Sequence, residues 1–148
     1  MKTLAQLIHD DMKLAFGVTE PGAIAYASAR ARALAGGEAR QVTLDLNSGI
    51  YKNAFTCGIP NSPELGNAYA AALGAVGGDP ELKLEALQPI TQKDNERARE
   101  LVTQGKVTVS LDRITPTIYI RAKVRTDKRE GEVIIEGIYT NITCMRVN

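Results

Sequence analysis

The sequence predicts an α+β domain in which helices pack on one face of a mixed or mainly antiparallel sheet. Helix-forming, small-residue segments dominate the first two thirds of the chain, and three β-branched, alternating segments fill the last third. The length of 148 residues and the 44% hydrophobic content suffice for one core, and no linker or low-complexity stretch divides them. A single domain over residues 1–148 is the expected organisation.

Taken in order, residues 3–14 place Leu4, Leu7, Ile8 and Met12 at helical spacing, with His9, Asp10 and Lys13 on the other side. Phe16-Gly17 closes that helix. The next spans residues 20–35: Thr19 is a good N-cap, Glu20 and Pro21 suit a first turn, and the alanine-rich run behind them has high helix propensity. Gly36-Gly37 ends it where positive φ favours glycine, and Arg30 and Arg32 are expected to face solvent. Residues 41–46 alternate Val42, Leu44 and Leu46 with Thr43 and Asp45, the pattern of a half-buried strand.

Residues 47–53 are rich in turn formers, 54–59 read as a short strand, and Pro60 and Pro63 force a loop. A second small-residue helix is expected over residues 64–76, stopped by Gly77-Gly78. Asp79-Pro80 reads as an N-cap with proline at N1 and starts a short helix to Leu87. Thr91 and Asp94 resemble a capping box opening a helix to Thr103. Strands are expected over 106–111, 117–124 and 132–139, with a polar hairpin turn at 126–131.

A net charge of +1 gives no electrostatic reason to expect nucleic acid or an anionic membrane as partner. No apolar run approaches the ~20 residues of a membrane span, and the opening residues do not form a signal-peptide core, so the expected location is the cytoplasm. Cys57 and Cys144 have no metal-ligand spacing and read as reduced, small apolar residues, while His9 reads as a surface side chain. No metal site is expected from these residues. The helix start at Thr19 presents unpaired N–H groups and the positive end of a dipole. Either it receives a carboxylate or phosphate, or Thr19 simply caps a core helix. The small-residue faces of the two alanine-rich helices could pack within one subunit or between copies in a homo-oligomer.

The stretch Gly17-Val18-Thr19-Glu20-Pro21-Gly22, with Ala23-Ile24-Ala25 behind it, resembles the G-C-T-E-P-x-x-(I/L)-A segment of the L-cysteine desulfidase and serine dehydratase-like family. The resemblance continues through Tyr51-Lys52-Asn53, Gly58-Ile59-Pro60, Gly66, the run from Ala70 to Gly78, Gly105-Lys106-Val107 and Thr140-Asn141-Ile142. It covers nearly the whole chain, which corresponds to only the N-terminal portion of the much longer family members. The resemblance implies a fold similar to the substrate-binding domain of iron–sulfur serine dehydratases. It also implies a PLP-independent β-elimination, from L-cysteine to pyruvate, ammonia and sulfide or from L-serine to pyruvate and ammonia. In full-length members a [4Fe-4S] cluster held by cysteine thiolates acts as Lewis acid.

Carried onto this sequence, the family pattern assigns substrate binding to Thr19, Glu20, Lys52, Asn53, Thr140 and Asn141. Thr19 and its helix start would take the carboxylate of a small amino acid, and Glu20 its ammonium. Four positions depart from the pattern: Val18 replaces the cluster cysteine, Gly49 an asparagine, Asn61 the glycine of Pro-Gly-Thr, and Tyr139 a histidine. The expected function is the substrate-binding part of such a lyase, without a cluster of its own and inactive alone. It would work with a C-terminal catalytic domain or a separately encoded subunit. The alternative is a degenerate, non-catalytic module that binds a small amino acid or carboxylate or serves in assembly.

Overall fold

The computed structural model describes residues 19–52, 54, 57–59 and 61–148. The helix expected over residues 3–14, Val18 and Asn53 lie outside the described residues, as does the side chain of Thr19. The fold is α+β: a five-stranded mixed sheet with helices on one side. In chain order the elements are α1 (Thr19–Ala35), β1 (Ala39–Asn47), α2 (Ser48–Tyr51), α3 (Asn67–Gly77), a 3-10 segment (Pro80–Glu85) and α4 (Gln92–Thr103), followed by four strands. These are β2 (Val107–Arg113), β3 (Tyr119–Thr126), β4 (Glu130–Glu136) and β5 (Ile142–Val147).

The strand order is β2-β1-β3-β4-β5, with β1 and β2 parallel and the other neighbours antiparallel. The period-2 alternation read in β1 sets its faces. Val42, Leu44 and Leu46 stand opposite Val124, Ala122 and Ile120 of β3, and all six are fully buried beneath the helices. Ala122 and Ile120 in turn oppose Val133 and Ile135 of β4, which extends the same apolar layer. On the other face Arg121 lies opposite Asp45, and its Nε is 3.2 Å from both Asp45 Oδ2 and Glu132 Oε1.

Helix α1 is central because its residues are small. It is buried from Pro21 to Ala29, lies across β3 and β4, and has Ala31 against Gly131 of β4. Gly36 and Gly37 end it with φ of 72° and 87°, the left-handed turn expected of them. Its neighbour α3 runs parallel to it: Gly74 abuts Ala25, and one helical turn further along both helices Gly78 abuts Ala29. A β-carbon at Gly74 would overlap the Ala25 carbonyl, so glycine there lets the two backbones approach. Helix α4 covers the far side of α3 and buries Asn95, Ala98 and Leu101. It starts in the capping box expected of Thr91 and Asp94, whose side chains and backbone N–H groups bond reciprocally at 3.2 and 2.9 Å.

Several sequence expectations are corrected. The second alanine-rich helix starts at Asn67, not near residue 64, because Gly66 takes φ 96° and its N–H bonds to the Cys57 carbonyl. The strand expected over 54–59 reduces, among the described residues, to one bridge between Gly58 and Leu65. The turn-rich segment after β1 contains the single helical turn α2. The segment after Asp79 is 3-10 rather than α, broken by Lys83 at φ 51°, although Asp79 does cap it by accepting from Glu81 N–H. The third strand stops at Glu136 instead of continuing to Tyr139, and β5 is an element the alternation did not disclose. Arg30 is only partly exposed and pairs with Glu81 at 3.2 Å.

Candidate functional site

The loops at the carboxyl ends of parallel strands β1 and β2 gather at one end of the sheet, where the sharply turned connections leave backbone groups to satisfy. Asn47, the last residue of β1, is buried and clamps them. Its Nδ2 donates to the Thr115 carbonyl at 3.0 Å, and its Oδ1 accepts from Tyr119 N–H at 3.2 Å. Ser48 adds a reciprocal pair with Thr115: its Oγ donates to the carbonyl at 3.2 Å and accepts from the N–H at 3.0 Å. The connection between β4 and β5 joins this end through a bond from Gly137 N–H to the Ile118 carbonyl.

On the helical side of that end, the charge of Glu20 in the first turn of α1 reaches two loop residues. The Glu20 carboxylate is close enough to Cys57 and to Tyr139 to act on the ionisation of both. Burial pushes the Cys57 thiol above its ordinary range, and the negative charge of Glu20 pushes it further. The same two causes, in the same order, hold the Tyr139 phenol protonated to higher pH than usual. Glu20 thus acts electrostatically on one residue of the loop after α2 and on one of the turn after β4.

The start of α3 lies against Cys57. Cys57 Sγ donates to Asn67 Oδ1 at 2.9 Å, and Asn67 N–H donates to the Ala54 carbonyl at 2.6 Å. Asn67 is fully buried, and among the described residues its Nδ2 has no hydrogen-bond partner. Because α1 and α3 are parallel and in step, their N-terminal ends lie side by side, with both partial positive charges at the same end of the helical layer.

The sequence-derived site residues divide. Glu20 lies in the first turn of α1, where its charge acts on Cys57 and Tyr139. Thr19 begins α1, and nothing further is described of its side chain. Lys52 is exposed and follows α2, with its N–H on the Ser48 carbonyl. Thr140 and Asn141 are exposed on the turn after β4; the Asn141 amide donates to the Glu136 carbonyl at 3.0 Å and so closes that turn. Of the departing positions, Tyr139 lies in the site. Gly49 packs against the Asn47 amide, so an asparagine side chain there would crowd the clamp. Asn61 takes φ 62° and donates to the carbonyls of Leu87 and Gln88, both at 3.1 Å, tying its loop to the segment before α4.

Sequence reading missed Asn47, Cys57 and Asn67. The available signal was a buried-type position occupied by asparagine at the start of an otherwise apolar, alanine-rich helix.

The donor set does not fit a metal cluster. Among the described residues no group of three or more His, Cys, Asp or Glu side chains converges, and the two cysteines are apart: Cys57 beside α3, Cys144 in β5 opposite Ile134. No helix among the described residues is long and apolar enough to cross a membrane. What the fold shows is an α+β domain with an acidic side chain in the first turn of α1 and a buried asparagine at the start of α3.

The chain is similar to a set of UPF0597 proteins. It is 34% identical over 98% of its length to one from Clostridium botulinum (strain Okra / Type B1), covering 34% of that protein. It is 37% identical over 94% of its length to one from Caldanaerobacter subterraneus subsp. tengcongensis, covering 33% of it. It is 39% identical over 96% of its length to one from Shewanella baltica (strain OS223), covering 34%. The chain therefore spans about a third of the length of these curated relatives. No family model matches the sequence, and no solved structure matches it.

Proposed function

We propose that this chain is the amino-acid-binding part of an L-cysteine desulfidase or L-serine dehydratase-like lyase, with the bond-breaking chemistry supplied by polypeptide outside it. The observation that carries this reading is the electrostatic reach of Glu20, which the family resemblance assigns to the substrate site, to Tyr139, which directly precedes the Thr140 and Asn141 of that same site. Glu20 serves as acceptor for a substrate ammonium, and the paired helix starts attract the carboxylate. The relatives' greater length agrees with a division in which this third binds and the rest reacts. No step of the elimination is assigned to this chain, because its described donor set does not suit the [4Fe-4S] cluster of the family.

One observation favours the alternative of a degenerate binding or assembly module: Asn141, a site position in the resemblance, spends its amide on a turn. Anaerobic assays of pyruvate release from L-cysteine and L-serine separate the two readings. They are run with this chain alone and with the remaining two thirds of the Shewanella baltica relative supplied as a separate polypeptide. The lyase reading expects pyruvate only from the mixture. Pyruvate from neither, with L-serine still bound by calorimetry, supports an amino-acid-binding module; no binding of either amino acid overturns the lyase reading and leaves assembly.

A further inference from the structure

We propose that the cavity between Arg113 and Glu136, on the helix-free face of the sheet, binds a small zwitterion that carries an ammonium and a carboxylate a short distance apart, as an α-amino acid does. This site is separate from the one proposed above, since none of the six residues that the resemblance assigned to substrate lines it.

The cavity has a volume of about 310 Å³ and is lined by Arg113, Thr115, Thr117, Ile118, Tyr119 and Glu136, a size suited to a small ligand. It lies where β2 ends and the chain crosses the end of β1 to begin β3. That is the carboxyl end of the parallel pair, at the point where the strand order changes sides, the usual place for a ligand in an open sheet. Residue parity sets its face: Ile120 is buried beneath the helices, so Tyr119 and its cross-strand partner Glu136 lie on the opposite face.

The walls are held in place by the protein itself. Asn47 fixes Thr115 and Tyr119 through their backbone groups, and Ser48 bonds Thr115 twice more. Glu136 N–H donates to the Asn141 carbonyl at 3.1 Å, and the Asn141 amide returns a bond to the Glu136 carbonyl at 3.0 Å. The Arg113 guanidinium sits over the Tyr119 ring, 3.7 Å from its centre, which restricts a long side chain. Walls ordered in this way reduce what a ligand must immobilise on binding.

The charges of the cavity are incompletely used. Arg113 Nε donates to Asp112 Oδ2 at 2.6 Å, and Glu136 Oε2 accepts from the Thr143 hydroxyl at 2.7 Å. Among the described residues the two terminal guanidinium nitrogens of Arg113 and Oε1 of Glu136 have no hydrogen bond, and no ion pair joins the two side chains. The two nitrogens form a fork that suits a carboxylate, and Oε1 is an acceptor for an ammonium. A bare anion would meet the carboxylates of Asp112 and Glu136, and a bare cation would meet the guanidinium. A ligand with both charges meets an opposite charge at each end.

The test is an amide-resolved nuclear magnetic resonance titration of the full chain at neutral pH with L-serine, sodium propionate and ethylammonium chloride in turn. L-serine should shift the amides of Thr115, Thr117 and Glu136 along one saturation curve, and the two singly charged probes should bind there at least tenfold more weakly. Arg113→Met, which keeps an apolar stem over Tyr119, and Glu136→Gln should each weaken L-serine at these amides at least tenfold. Arg113→Lys keeps the charge without the fork and should weaken it less than Arg113→Met. Unchanged resonances elsewhere in a variant show that the fold is intact. L-serine affinity unchanged in Arg113→Met and Glu136→Gln overturns the site, and propionate binding as tightly as L-serine overturns the zwitterion. Shifts confined to the first turn of α1 overturn this cavity and leave the Glu20 reading standing; shifts confined to the cavity do the reverse. No shift at any amide overturns both.

Discussion

Gly74 of α3 lies directly against the backbone of Ala25 in α1, and the two helices run parallel through that contact. A methyl group at residue 74 has no space, because it meets the Ala25 carbonyl and α-carbon, which cannot rotate away as a flexible side chain would. Gly74→Ala should therefore destabilise the fold by about 1–3 kcal/mol, despite alanine's better helix propensity. Urea denaturation read by far-ultraviolet circular dichroism measures this; a midpoint equal to or above wild type would show that the helices separate freely.

The capping box of α4 is a second, local stabiliser. Thr91 Oγ1 accepts from Asp94 N–H, while Asp94 Oδ2 accepts from Thr91 N–H, so two of the four orphan donors at this helix start are satisfied. Thr91→Ala should cost ~1 kcal/mol. Hydrogen exchange should place the extra opening in the first turn of α4, and unchanged protection there would deny the box its role.

Those two contacts mark the limits of what the chain discloses in one dimension. The box is local: threonine followed three residues later by a carboxylate declares itself. The β1 alternation likewise names Val42, Leu44 and Leu46 as core, because side-chain direction follows residue parity. The parallel pairing of α1 with α3 is not local. The alanine-rich runs advertise close packing without saying against what, and the shared direction emerges only from tertiary contact.

The delayed start of α3 was illegible for a related reason. Gly66 and Cys57 pair across an intervening loop, which ends what residue propensity alone would have continued as helix. At the site, Glu20 and Tyr139 were legible only through resemblance. Asn67 carries its meaning through burial, which no residue spacing near it encodes.

The pKa of the Asp127 carboxylate is lowered, first because it accepts from Glu38 N–H at 2.8 Å, with Arg40 and Lys128 adding favourable charge. A carboxyl whose folded pKa is depressed contributes stability above its unfolded value of ~3.9, and that contribution is lost as pH falls through the folded value. Asp127→Asn should thus lower stability at pH 6 and flatten its fall as pH drops below about 4, so that the two proteins draw together toward the acid end of the range. Urea midpoints across pH 2–6 would show it; parallel profiles for the two proteins would remove the carboxylate from acid unfolding.

Cys57 offers a direct reading of the charge around it. Burial and then Glu20 raise its thiol pKa, so at neutral pH the group is a thiol that donates to Asn67, and its alkylation rate follows the small thiolate fraction. The rate should climb with pH toward a midpoint above the ~8.5 of a free cysteine. Glu20→Gln removes the negative charge without changing the side chain's size, which lowers the thiol pKa toward the ordinary value and should speed alkylation at pH 8 several-fold. Iodoacetamide labelling followed by peptide mass spectrometry distinguishes Cys57 from Cys144. Because burial acts independently of Glu20, the variant's midpoint should still lie above that of the free amino acid. Equal labelling rates in wild type and Glu20→Gln would mean that Glu20 does not face Cys57, and with that the convergence of α1 on this loop would be lost.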